Sequence, residues 1–255
     1  MPVIRPRGGP VSWPQDEAAI GVVGVAPWAT VDFCAALYGL VDAKKDWHYP
    51  RVLVDANSKI PSRGRHLELG EDDPSPAIRA TIDELAAQGA AVVAVPCNTA
   101  HLLFERWATG AAAAVPNAIA LTASAARKRG ARRAAVLSSR LIAEKRLYQR
   151  ALEAEGVATV EIDAELQTRV GELIARVKVN GGAGTTEQQR LRVLLDAAQA
   201  RWADFAILGC TELSAVGAAS ERALPMPVVD SNQELARACL ARIGIVSERD
   251  RFSRT

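Results

Sequence analysis

The chain has 255 residues, 49% of them hydrophobic and 24% charged, which describes a folded globular protein and excludes a disordered one. The 31 Lys and Arg residues stand against 29 Asp and Glu, a formal net charge of +2. That balance supplies no electrostatic reason to bind nucleic acid or an anionic membrane.

No apolar run reaches the roughly 18–20 residues needed to span a bilayer. The opening MPVIRPRGGPVSWPQDE lacks the apolar core of a secretory signal, so a cytoplasmic protein is expected, with neither membrane nor nucleic acid as partner. AIGVVGV is a short apolar strand ending in a Gly/Pro turn. TVDFCAALYGLV has helical periodicity, PRVLVDAN is a strand, and SPAIRATIDELAAQG is a helix stopped by Gly89. AAVVAVP is a fully apolar strand, and TAHLLFERWATG is a helix opening just beyond Cys97.

The second half repeats this rhythm. RRAAVLSS is a strand, LIAEKRLYQRALEAEG one helix, VATVEID a strand, and LQTRVGELIARVKVNGG and TEQQRLRVLLDAAQARW two helices. DFAILG is a strand running into Cys210, MPVVDS a last strand and NQELARACLARIG a closing helix. Strands alternating with helices predict an α/β protein built on parallel sheets.

The two cysteine segments align without gaps. Residues 82–99 read IDELAAQGAAVVAVPCNT and residues 195–212 read LDAAQARWADFAILGCTE, at a constant offset of 210 − 97 = 113. This predicts a duplicated half-domain: two pseudo-symmetric lobes, each a parallel sheet flanked by helices, with the active site in the cleft between them. The expected division is 17–115 plus 214–246 for the first lobe and 116–213 for the second, with flexible tails at 1–16 and 247–255.

Of the four cysteines, none forms a CxxC pair, and three scattered histidines offer no structural zinc pattern. Cys34 and Cys239 sit in amphipathic helical patterns and are expected as small buried hydrophobes. Cys97 and Cys210 each follow a strand, where parallel sheets build their ligand crevice. Helices opening after them would aim N–H groups and positive dipole ends at a carboxylate and lower the thiol pKa values. Two thiols on opposite walls of one cleft suit a two-base exchange at carbon, one taking a proton from one face and the other delivering one to the opposite face. There is no P-loop, and the glycines of GVVGV make no GxGxxG, so no cofactor and no metal are expected.

PCNTAH together with GCTEL resembles the aspartate/glutamate racemase superfamily, closest to its aspartate racemase branch. IGVVGVAPWATVDFCAAL is similar to the family's opening strand, glycine turn and first helix, and RVLVDANSKIPSR to the segment in which Asn and Arg flank an Ile-Pro step. The similarity extends from about Ile20 to Gly244. It implies cofactor-independent racemisation of an amino acid, aspartate or a related acidic one, by Cys97 and Cys210 as catalytic acid/bases, in a homodimer. The resemblance carries substrate-binding roles onto Asn57, Asn98, Thr99, Thr211 and Glu212, and the role of pairing with a distal carboxylate onto Arg63. Ser139 keeps the hydroxyl of a second-lobe loop.

The sequence also departs from that pattern. The opening turn is Val25-Ala26-Pro27 where glycines are usual, Ser62 and Gly64 flank Arg63, Ile142 stands where a second threonine is common, and Leu235 where a histidine is common. These changes bear on the substrate more than on the proton transfer. Relatives acting on another amino acid or carboxylic acid therefore stay open, as epimerase, hydantoin racemase or maleate-type isomerase, as does a non-catalytic small-acid-binding protein. His101 could tune the Cys97 thiol or cap a helix; Arg140 could reach a substrate anion or face solvent. His48 and His66 are expected in solvent, and the basic runs RLYQR and RKRGARR are expected as solvated faces.

Overall fold

The computed structural model describes residues 18–220 and 224–245, so the expected tails at 1–16 and 247–255 lie outside the described residues. The described chain forms two compact units. One comprises residues 18–96, 103–116 and 235–245; the other comprises 97–102, 117–220 and 224–234. Among the described residues no helix is long and apolar enough to cross a membrane.

The first unit is organised on β1 (Ala19–Val23), β2 (Val52–Asp55) and β3 (Ala90–Ala94), a parallel sheet in the order β2-β1-β3. Every residue of β1 is buried, as expected of a central strand covered on both faces. α1 (Pro27–Gly39) begins at a proline whose missing N–H costs nothing in the first turn. α3 (Ser75–Ala87) sets Ile78, Ile82 and Leu85 into the core, and Gly89 ends its turn with φ of 101°. Gly24 closes the β1 turn because a Cβ there would meet Thr30 Oγ1 at 2.6 Å and the Ala56 backbone at 2.9 Å. α2 (Arg63–Leu69), capped by Ser62 Oγ accepting from the Arg65 N–H, was not visible in the apolar periodicity, since none of its residues is buried.

The second unit carries β4 (Arg133–Ser138), β5 (Ala158–Val160), β6 (Phe205–Gly209) and β7 (Val228–Asp230), all parallel in the order β5-β4-β6-β7. Each sheet thus has its first strand flanked by its second and third, the arrangement a duplication predicts. Alternate residues of β4 and β6 feed opposite faces. Ala135, Leu137, Ala206 and Leu208 pack with α8 (Ala164–Asn180), α9 (Thr185–Gln199) and α10 (Thr211–Ala219). Ala134, Val136 and Ile207 pack with α5 (Ala118–Lys128) and α7 (Leu147–Ala154).

Three expectations are corrected. The helix expected across LIAEKRLYQRALEAEG is two, α6 (Arg140–Glu144) and α7, broken at Arg146 with φ of 50°. A straight helix would set Ile142 about 120° from Tyr148; the break lets both enter one core with Leu152. The helix expected after Cys97 begins as a 3₁₀ segment over Asn98–Leu103, and α4 (Phe104–Ala108) follows it. The chain also does not return to the first unit at residue 214: β7 pairs with β6, and the crossing falls within α11 (Ser231–Arg242), between residues 234 and 235.

Candidate active site

Residues 97–102 belong to the second unit because of what their side chains and backbone reach. Tyr148 donates its hydroxyl proton to Asn98 Oδ1, Asn98 Nδ2 donates to Ser231 Oγ at 3.2 Å, and Leu102 packs against the α5–α7 core. The Ala118 N–H, at the start of α5, donates to His101 Nε2 at 3.2 Å. The other ring nitrogen must then carry the proton, and it lies 3.0 Å from the Cys97 carbonyl. His101, buried at 4% exposure, is therefore a strut joining the Cys97 backbone to a helix N-terminus. Of the two roles open to it from sequence, capping is the one these bonds describe.

Cys210 is the N-cap of α10, and its carbonyl accepts from the N–H groups of Leu213 and Ser214. Its thiol donates to Glu212 Oε2 at 2.9 Å, and the Thr211 hydroxyl donates to the same oxygen at 3.1 Å. The other carboxylate oxygen of Glu212 lies 3.8 Å from Lys178 Nζ on α8. Burial first, and the Glu212 carboxylate second, push the Cys210 thiol well above the usual thiol range, with Lys178 opposing them. This corrects the expectation of a lowered thiol. The positive end of α10 is offset by an acidic residue in its own first turn, where the dipole favours such a residue.

The two cysteine segments meet through shared partners. Ser231 accepts from Asn98 and donates to the Leu208 carbonyl at 3.0 Å, two residues before Cys210. The Tyr148 ring lies against Gly209, where a Cβ would come within 2.7 Å of Cε2. Asp230, at the end of β7, accepts from Ser214 Oγ at 2.7 Å and from the Asn232 N–H at 2.8 Å, and so caps α11. Burial raises its carboxyl from the ordinary range.

Thr99 lies in the same 3₁₀ segment, partly exposed, and Thr211 is buried beside Cys210. Ser139 stands at the start of α6 with its Oγ buried and without a protein partner. Asn57 and Arg63 belong to the first unit. There Asn57 Oδ1 accepts from the Lys59 N–H at 3.1 Å, and the Arg63 guanidinium donates to the carbonyls of Pro61 and Val25, both at 3.2 Å. Arg140 pairs with Glu144 at 2.7 Å one turn along α6. His66 is not free in solvent: its Nδ1 lies 2.7 Å from the Glu71 carbonyl. In the basic run at 127–133, Arg129 pairs with Glu234.

Among the described residues no three His, Cys, Asp or Glu side chains converge on a point that could hold a metal ion. The sequence reading missed Tyr148, Lys178, Asp230 and Ser231. The DSN triplet ending the last strand was the available signal for two of them, since polar residues at parallel strand ends are where sites are built.

The model of the Asp/Glu/Hydantoin racemase family matches residues 20–239, so the match contains both cysteine segments and both sheets. The chain belongs to that family. Its class is that of the isomerases acting on amino acids. It is 27% identical over 227 residues to the broad-specificity amino-acid racemase RacX of Bacillus subtilis (strain 168), covering 88% of this chain and 93% of that one. It superposes on the Picrophilus torridus aspartate racemase with a TM-score of 0.80 at 27% identity, over 92% of this chain and 98% of that one. An aspartate racemase homologue from Pyrococcus horikoshii OT3 shares the fold, with a TM-score of 0.72 at 19% identity over 89% and 99% of the two chains.

Proposed function

We propose that this member of the racemase family is a cofactor-independent amino-acid racemase using Cys97 and Cys210 as its two acid/bases. The observation that carries the reading is the state of Cys210. A buried thiol hydrogen-bonded to a carboxylate at 2.9 Å holds its proton and is a donor in waiting. In one direction Cys97 takes the α-proton of the substrate, and Cys210 delivers its own proton to the opposite face. The C–H bond broken at one face is replaced by one at the other, and the negative charge moves from Cys97 to Cys210. The reverse reaction returns it, with the thiolate at Cys210 held by Lys178 and the α10 N-terminus. Asn98, Thr99 and Thr211 are the groups proposed to bind the substrate's α-carboxylate and amino ends, with Ser139 contributing a hydroxyl.

Aspartate or a related acidic amino acid is the first substrate to test, supported by the likeness to the Picrophilus torridus aspartate racemase. A broader choice of side chain is the second reading. It is supported by the likeness to RacX and by the Arg63 guanidinium, which already donates to two backbone carbonyls. As in the family resemblance, a homodimer working in the cytoplasm is proposed.

The deciding experiment incubates the protein with single enantiomers of acidic and neutral amino acids in D2O, following chirality and deuterium at Cα. Racemisation with solvent deuterium incorporation, abolished in Cys97→Ser and in Cys210→Ser, is the expected result. Retention of the α-proton in every amino acid tried would overturn the proposal.

A further inference from the structure

Asn98 adjoins Cys97, and its amide could in principle sit in either of two orientations with oxygen and nitrogen exchanged. The hydrogen-bond chain around it removes that freedom. The Leu208 carbonyl can only accept, so the single proton of Ser231 is committed to it at 3.0 Å. Ser231 Oγ must then accept from Asn98, so the Asn98 atom 3.2 Å away is the nitrogen. The oxygen consequently faces Tyr148, whose hydroxyl must donate to it. Tyr148 is fully buried and Ser231 is 1% exposed, so no water competes for these bonds. Nδ2 carries two protons, and Ser231 takes one.

From this proton accounting we propose that Tyr148 and Ser231 are positioning residues that lock the Asn98 amide in one orientation, so that its second N–H is a fixed donor for a carboxylate bound beside Cys97. The proposal deepens the racemase reading, because the carboxylate is the substrate's. The lock also ties the segment after Cys97 to the strand leading into Cys210, since the same tyrosine ring lies on Gly209 and the same serine on Leu208. Ser231 is the acceptor that fixes the nitrogen and Tyr148 the donor that holds the oxygen, so with either one removed the amide is anchored at one end only and its second N–H is no longer held toward a carboxylate. The lost interaction then falls on substrate binding and leaves the thiols in place.

Tyr148→Phe and Ser231→Ala test this, alone and together, with folding checked by thermal melts. The first readout needs no racemase activity: the ratio of alkylation rates at Cys97 with iodoacetate, a carboxylate, and iodoacetamide, its neutral analogue, followed by peptide mass spectrometry. Each variant should lower that ratio about tenfold, the scale of one hydrogen bond to a charged group. The double variant should lower it no further than the larger single effect, since both residues act through one amide. General loosening would change both rates alike and leave the ratio where it was. The second readout is kinetic: KM should rise about tenfold while kcat stays within about threefold. An unchanged ratio in both single variants overturns the lock. A lowered ratio in a protein that racemises nothing leaves the lock standing and removes the racemase reading instead.

Discussion

Cys210 Sγ lies 2.9 Å from Glu212 Oε2, and Lys178 Nζ lies 3.8 Å from the other oxygen of the same carboxylate. The negative group next to the thiol disfavours thiolate, and the positive group beyond it favours thiolate. Glu212→Gln should therefore lower the Cys210 pKa, and Lys178→Met should raise it. The pH dependence of Cys210 alkylation moves to lower pH in the first variant and to higher pH in the second. Racemase activity of Glu212→Gln should fall by about a hundredfold, the scale of a disturbed acid/base group. Movement of both profiles in the same direction would show that the carboxylate does not govern the thiol.

Replacing either Cys97 or Cys210 by serine exchanges a thiol for a hydroxyl that does not ionise near neutrality. A two-base reaction then lacks one of its partners in each direction. Racemisation should fall by about 10²- to 10⁴-fold in each single variant, with the double variant scarcely slower than either. Cys97 is half-buried and Cys210 is buried, so both variants should keep their stability within about 1–2 kcal/mol. A Cys97→Ser protein racemising at the wild-type rate would reduce the reaction to a single base.

Much of this arrangement was legible in the residues. AAVVAVP and DFAILG read as apolar strands, four of the five residues are buried in each of β3 and β6, and their common offset of 113 residues put a cysteine after the third strand of each sheet. Tyr148 was hidden because its neighbours are charged: Arg146 and Arg150 make RLYQR resemble a solvated face. The αL turn at Arg146, which no local pattern announces, rotates the tyrosine into the core. The Cys210 thiol is raised where the sequence pattern suggests a lowered one, because burial of the sulfur and then the carboxylate two residues into the helix outweigh the helix N-terminus, and neither is visible in the strand-cysteine-helix pattern. The crossing within α11 was equally hidden, since β7 has only three residues and its pairing with β6 is a long-range fact.

Gly209 is required by its neighbour more than by its backbone. A Cβ there would come within 2.7 Å of Tyr148 Cε2 and 3.2 Å of Ser138 Cβ, and neither can retreat from a fully packed core. Gly209→Ala should cost about 1–3 kcal/mol, as overpacking does. Adding Tyr148→Leu, which removes the clashing ring edge, should recover part of that loss in a denaturant titration. A Gly209→Ala protein as stable as wild type would mean that the ring has room to move.

Cys239, on α11, is fully buried, and burial pushes its thiol up to about 12 from the ordinary 9.0. Above pH 9 the unfolded chain sheds this proton while the folded chain keeps it. Unfolding then releases a proton, and stability falls with each step in pH until the folded thiol itself ionises near 12. Three units correspond to a loss on the order of 4 kcal/mol across that window. Cys239→Ala leaves a small cavity and should be the weaker protein near neutrality, by about 1–2 kcal/mol. Because the alanine variant has no proton to lose there, the gap should close and then reverse between pH 9 and 12. Urea unfolding of the two proteins at about pH 7 and about pH 11 measures it, and a gap of constant sign and size would show that the buried thiol does not set the alkaline limit.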